Sequence, residues 1–139
     1  MEICLSKPFV WPVRVYYEDT DAGGVVFYAN YLKYFERGRT EYLRSIGFEQ
    51  DDLINNQGII FAVRAINVDY IKPARFNQLL EVSTKITAVK KVSLEFQQQI
   101  THHNQLLVSG DVRIACLDAI TLKPTAIPKN IIGQIKDEH

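Results

Sequence analysis

Two very short connections constrain this chain more than any other feature. Leu79–Lys90, Val92–Thr101 and Leu106–Leu117 read as strands rich in Val, Ile and Thr, joined only by Lys90-Lys91 and His102-His103-Asn104-Gln105. A parallel crossover needs a dozen residues or more, so these strands must run antiparallel. Leu80, Val82, Ile86 and Ala88 alternate with Glu81, Ser83, Lys85 and Thr87. Val92, Leu94, Phe96 and Ile100 alternate with Ser93, Glu95, Gln97, Gln99 and Thr101 in the same way. That period belongs to a sheet with one buried face and one wetter face. Ile60–Ile71 adds a fourth strand.

The buried face needs a cover, and the first half of the chain provides one. From about Asn30 the period becomes helical: Leu32, Phe35, Arg39, Tyr42, Leu43 and Ile46 recur at three- and four-residue steps, with Tyr31 and Tyr34 broadening the stripe. Asn30 is a candidate cap and Gly47 stands where a helix often stops. A helix of about 17 residues spans roughly 25 Å. The Lys33/Glu36 and Arg37/Glu41 spacings allow side-chain pairs on its flanks. Glu49–Asn56 reads as a short amphipathic turn leading to Gly58. Ahead of the helix, Val13–Glu18 alternates as a fifth strand, and Pro128–Lys136 reads as a short closing helix. The expectation is an α+β fold, one five-stranded antiparallel sheet curled around one long central helix. With 139 residues and no linker-like stretch, residues 1–139 are expected to form a single domain.

Sixteen basic residues balance sixteen acidic ones, which argues against nucleic acid or an anionic membrane as the main partner. Cys4 and Cys116 have no metal-ligand spacing, and Cys116 lies in an apolar run as a small core residue. The N-terminal residues lack the basic start and apolar core of a signal peptide, and no apolar run approaches membrane-spanning length. A cytoplasmic location is therefore expected.

Several chemistries lack their parts. There is no Gly-x-Ser-x-Gly elbow, phosphate-binding glycine loop or dinucleotide fingerprint. His102 and His103 are adjacent in a hairpin turn and His139 is terminal, so neither a metal site nor a histidine-based triad is expected. Carboxylates remain. Glu18 continues the strand, Asp19 suits a turn whose side chain bonds nearby N–H groups, and Asp21 precedes Ala22-Gly23-Gly24. Both aspartates could serve only to shape the turn. They also stand just before a helix start, whose unpaired N–H groups around Tyr28–Asn30 suit a developing oxyanion, and a glycine turn lets a ligand approach the backbone. Tyr17, Phe27, Tyr28 and Tyr31 are candidate apolar walls, with Phe27 and Tyr31 expected in the core. Lys90-Lys91 is either a soluble hairpin tip or a clamp for substrate phosphates.

The stretch Val13–Arg44, densest in Tyr17–Val26 and Glu36–Arg44, closely resembles hotdog-fold acyl-CoA thioesterases associated with the Tol–Pal system, within the 4-hydroxybenzoyl-CoA thioesterase family. The likeness continues through Phe61–Arg64, Asp69–Arg75 and Lys123-Pro124 to Pro128-Lys129. It implies a hotdog fold and hydrolysis of acyl-CoA to free acid and CoA, without cofactor or metal. Asp21 would be the nucleophile or general base, and the Tyr28 amide would polarise the thioester carbonyl. Gly24 and Val25 would border the substrate, with Lys90 and Lys91 contacting CoA phosphates. The resemblance further implies a homodimer or homotetramer with sites at the subunit interface. An acyl or acyl-carrier-protein binding module without catalysis is the alternative. Tol–Pal-type members commonly carry His where this chain has Tyr28; a backbone role survives that exchange and a side-chain acid–base role does not.

Overall fold

The computed structural model describes residues 8–137. Cys4 and His139 lie outside them. Five strands, β1 (Phe9–Arg14), β2 (Ile59–Tyr70), β3 (Leu79–Val89), β4 (Ser93–His102) and β5 (Gln105–Asp118), form one sheet in the order β1-β3-β4-β5-β2. Every pairing is antiparallel. The β4–β5 hairpin turns on His103 and Asn104, both at positive φ (50° and 63°), which matches the right-handed twist of the flanking strands.

Helix α1 (Asn30–Ser45) lies across the concave face. Its buried stripe is Tyr31, Tyr34, Phe35, Gly38, Arg39, Tyr42 and Leu43, a helical spacing throughout. Gly47, at φ 99°, follows the end of the helix, where a left-handed residue terminates it cheaply. A short helix α2 (Gln50–Asp52) continues as a wider turn, Leu53–Gln57, and leads through Gly58 into β2. Helix α3 (Lys129–Asp137) closes one end by burying Ile131 and Ile135. Cys116 is fully buried, and burial pushes its thiol up to about 11. No helix among the described residues is long and apolar enough to cross a membrane.

Helix and sheet meet closely at two glycines. A Cβ at Gly38 would stand 2.7 Å from Thr84 Oγ1 and 2.9 Å from Val82 Cγ1. A Cβ at Gly110, on β5, would stand 2.8 Å from the Phe35 ring. At the first contact the core is polar. The Gln98 amide nitrogen donates to Phe35 O (2.9 Å) and Thr84 Oγ1 (2.8 Å), while its Oε1 accepts from Arg39 Nη1 (3.0 Å). Gln98 occupies an inward position of β4 and is fully buried.

Three expectations change. The strand expected over Val13–Glu18 is instead β1, ending at Arg14, because its partner β3 begins at the paired Leu79. Tyr17–Asp19, with Glu18, forms a 3-10 turn stabilised by Tyr16 N–H donating to Asp19 Oδ2 at 2.9 Å. Leu32 is 39% exposed rather than part of the core stripe. Among the described residues the ion pair on α1 is Arg44 with Glu41 (2.7 Å), while Arg37 lies over the Tyr34 ring at 5.8 Å.

Replacing an exposed helical glycine by alanine normally stabilises by about 1 kcal/mol. At Gly38 the opposite is expected, because Thr84 and Gln98 are held by their mutual bond. Gly38→Ala should lower stability by about 1–3 kcal/mol in chemical denaturation, the usual cost of overpacking.

Candidate active site

The chain between β1 and α1 folds back on itself, with an antiparallel bridge between Thr20 and Val26. Asp21 N–H donates to Val25 O (3.0 Å) and Gly24 N–H to Asp21 O (3.0 Å). The Asp21 carboxylate is exposed and accepts one bond through Oδ1, from Gly23 N–H at 2.9 Å. Its second oxygen is available to an incoming group. Gly24 sits at φ 77°, a conformation that a side chain disfavours, and Val25 bridges to Arg75 on the loop before β3.

Asp19 fixes this turn against the helix. It is 6% exposed, and its Oδ2 accepts from both Tyr16 N–H and the Tyr34 hydroxyl, each at 2.9 Å. Its carbonyl accepts from Phe27 N–H (3.0 Å) and Asn30 Nδ2 (2.9 Å). Burial, reinforced by the Asp19 bond, pushes the Tyr34 phenol well above its ordinary range. Asn30, the expected cap, thus spends its amide on the turn, and Ala29 occupies the cap position without a side-chain bond.

The helix start is therefore open. Asn30, Tyr31 and Leu32 N–H groups donate to Phe27, Tyr28 and Ala29 carbonyls. The Tyr28 and Ala29 N–H groups donate to nothing among the described residues. Beside them is a mostly apolar recess of about 230 Å³ lined by Val26, Tyr28, Tyr31, Tyr70 and the Ile71–Pro73 segment, whose Lys72 is its one charged residue. Tyr31 is buried and its hydroxyl accepts from Ala74 N–H (2.9 Å), so one aromatic wall is anchored. Tyr28 and Tyr17 are exposed, and so is Phe27 at 45%, against its expected place in the core. The Tyr28 ring lies tilted against Phe27 and meets Tyr70 edge-on.

Asp21, Gly24 and Val25 share one hydrogen-bonded turn, and the chain after Val26 leads to Tyr28 at the helix start. Lys90 and Lys91 lie far from it. The turn lies beside the Leu79 end of β3, whereas the lysines follow Val89 at its other end, roughly 33 Å of strand away. Both are exposed, and Lys90 Nζ lies 3.5 Å from Glu95. Two contributors escaped sequence reasoning. Tyr70 appeared only as a strand residue, although Tyr-Ile-Lys-Pro marks the end of a strand against a rigid turn. Arg39 was placed in an apolar stripe, and a charged residue in such a stripe is itself a signal of a buried polar contact. Glu49, Asp51 and Asp52 cluster their carboxylates within 4.8 Å, but they are exposed at the start of α2, with Glu49 held by Arg44.

The chain that carries this carboxylate, these open amides and this recess is similar to thioesterases in sequence and in fold. The thioesterase superfamily profile matches residues 23–109, and the chain belongs to that family as a hotdog-fold member. The acyl-CoA thioester hydrolase YbgC of Escherichia coli O6:H1 is 46% identical over 92% of this chain and 96% of its own. The acyl-CoA thioesterase YbgC of Haemophilus influenzae is 44% identical, over 91% and 93%. The crystal structure of a probable thioesterase from Bartonella henselae superposes with a TM-score of 0.85 at 35% identity, over 88% of this chain and all of that one.

Asp19→Ala would strand the Tyr34 hydroxyl and the Tyr16 N–H. The hydroxyl is buried and the N–H only part-buried; at about 1–3 kcal/mol for the first and less for the second, the expected loss is about 1–4 kcal/mol in a denaturant titration. Asp19→Asn, which keeps one acceptor oxygen, should lose less.

Proposed function

We propose that this chain hydrolyses acyl-CoA thioesters to the free acid and CoA, with Asp21 as the reacting carboxylate. The observation that carries this reading is the exposed Asp21 carboxylate, one oxygen free, on the Thr20–Val26 hairpin that leads directly to the open Tyr28 and Ala29 amides. A thioester carbonyl placed against those amides becomes more electrophilic, and they stabilise the oxyanion formed on attack. Asp21 then acts in one of two ways. It attacks the carbonyl carbon, expelling CoA thiolate and leaving a mixed anhydride for water to open, or it takes a proton from the water that attacks. A thiolate leaves readily, so neither route needs a general acid. Gly24 and Val25 hold the turn close to the substrate, and Tyr70 and Tyr31 wall the acyl side.

A second copy completes the site. Of the two sheet edges, β1 carries Pro12, which cannot donate to another strand. β2 offers twelve residues without proline, with Val63, Ile66 and Tyr70 on its helix-facing side 39–51% exposed. Pairing two β2 edges antiparallel brings the far end of one subunit beside the near end of the other. Lys90 and Lys91 of each chain are thereby carried towards the other's Asp21, where they can meet CoA phosphates. An acyl-carrier-protein thioester presents the same carbonyl and is the alternative donor.

Thiol-release kinetics over short, long and aromatic acyl-CoAs, with one acyl-carrier-protein thioester, test the activity. Asp21→Asn is expected to lower kcat by about 10²–10⁴-fold with circular dichroism unchanged. Turnover equal to wild type sinks the assignment. Binding without thiol release across the panel supports a non-catalytic module instead. Sedimentation should give a mass at least twice 15.9 kDa. A fully active monomer would contradict the shared site.

A further inference from the structure

Two recesses lie along the seam between α1 and β2. The first is the recess at Tyr28 and Tyr70, beside the open amides. The second is a more enclosed cavity of about 120 Å³ between Phe61 and Val63 on β2 and Glu36, Arg39 and Thr40 on α1. Along the same seam Leu32 on the helix and Ile66 and Val63 on the strand are each 39–51% exposed.

Arg39 does not fit an apolar wall. It is 8% exposed, and its guanidinium carries five N–H donors, of which one reaches Gln98. No carboxylate lies within 4 Å of it among the described residues; the ion pairs there involve Arg44, Lys90 and Arg113. Glu36, on the same wall, is exposed and pulls on the charge only from a distance. Burial lowers the guanidinium below its ordinary range, the direction expected of a cation that has lost water without gaining an anion. The guanidinium lines that cavity, none of its nitrogens is both buried and without a partner, and a carboxylate offering two oxygens suits the edge that Gln98 leaves over.

We infer that the Arg39 cavity receives a carboxylate at the far end of the acyl group, so that the preferred substrates are acyl-CoAs whose acyl chain ends in a second carboxyl. This rests on the thioesterase reading and names its substrate class. The length is set by the helix: eleven residues separate Tyr28 from Arg39, roughly 16 Å at the helical rise, the reach of an extended medium-length chain. The thioester then lies at the amides, the methylenes along Leu32, Ile66 and Val63, and the distal carboxylate against Arg39. A plain chain of equal length would bury a methyl group against the same cation.

The test compares kcat/KM for plain acyl-CoAs with their ω-carboxy counterparts, from roughly eight to fourteen carbons so as to bracket that reach. Wild type is expected to favour the ω-carboxy member by roughly 10- to 100-fold at the matching length, the worth of a charge-assisted hydrogen bond. It should show no preference when the chain is too short. Arg39→Gln should bring the ratio to about one. Glu36→Gln, an exposed change that removes the competing carboxylate, should raise it. Equal rates for both members at every length would overturn the inference and leave a carboxylate of a partner subunit as the occupant. So would a preference that persists in Arg39→Gln. Should that variant fail to fold, the wild-type ratio and Glu36→Gln still decide. Absence of thiol release from every ester would instead remove the thioesterase reading itself.

Discussion

The double hydrogen bond to Asp19 Oδ2 holds the active region in register. Tyr34 belongs to the helix and Tyr16 to the loop after β1, and one carboxylate oxygen at 2.9 Å from each joins them. The Asp19 carbonyl adds Phe27 and Asn30 on the chain entering the helix. The Asp21 turn and the helix start therefore cannot move independently. Asn30 is drawn into this tie, and no side chain caps the helix. The Tyr28 and Ala29 amides, just ahead of its first residue, stay open.

The two aspartates, two residues apart, divide into different roles through burial. Asp19 is buried with Oδ2 bonded twice; Asp21 is exposed with Oδ1 bonded once, by Gly23. A structural carboxylate profits from burial among its partners. A reactive one, the role proposed for Asp21, needs an oxygen that an incoming group can reach. The helix body divides in a similar way: Gly38 and Phe35 approach the sheet closely enough to fix its distance, while Arg39 and Glu36 flank the groove beside β2. Edge pairing of β2 would roof that groove and exclude water from it, strengthening every charge interaction inside.

Much of this was legible in the residues. Period-two alternation and the short connections gave the antiparallel sheet, and the helical stripe with Gly47 placed α1 at Asn30–Ser45. The motif around Asp21 marked the candidate site, helped greatly by its resemblance to known thioesterases. What stayed hidden depended on distant partners. Alternation at Tyr16–Glu18 looked like strand because nothing local reveals that its partner β3 begins only at Leu79. Asp19 looked like an ordinary turn residue because its partner Tyr34 lies fifteen residues on. Arg39 meets Gln98 fifty-nine residues away, and no short-range pattern encodes that contact. Lys90 and Lys91 were joined to the site by resemblance alone, and a single chain holds them at the other end of the sheet.

The account turns on where the thioester carbonyl sits. The most direct measurement is a crystal structure of Asp21→Asn holding an uncleaved acyl-CoA. The prediction is a carbonyl oxygen within about 3 Å of the Tyr28 or Ala29 amide, with the carbonyl carbon facing residue 21. A carbonyl bound elsewhere, with those amides bonded to water or protein, would contradict it.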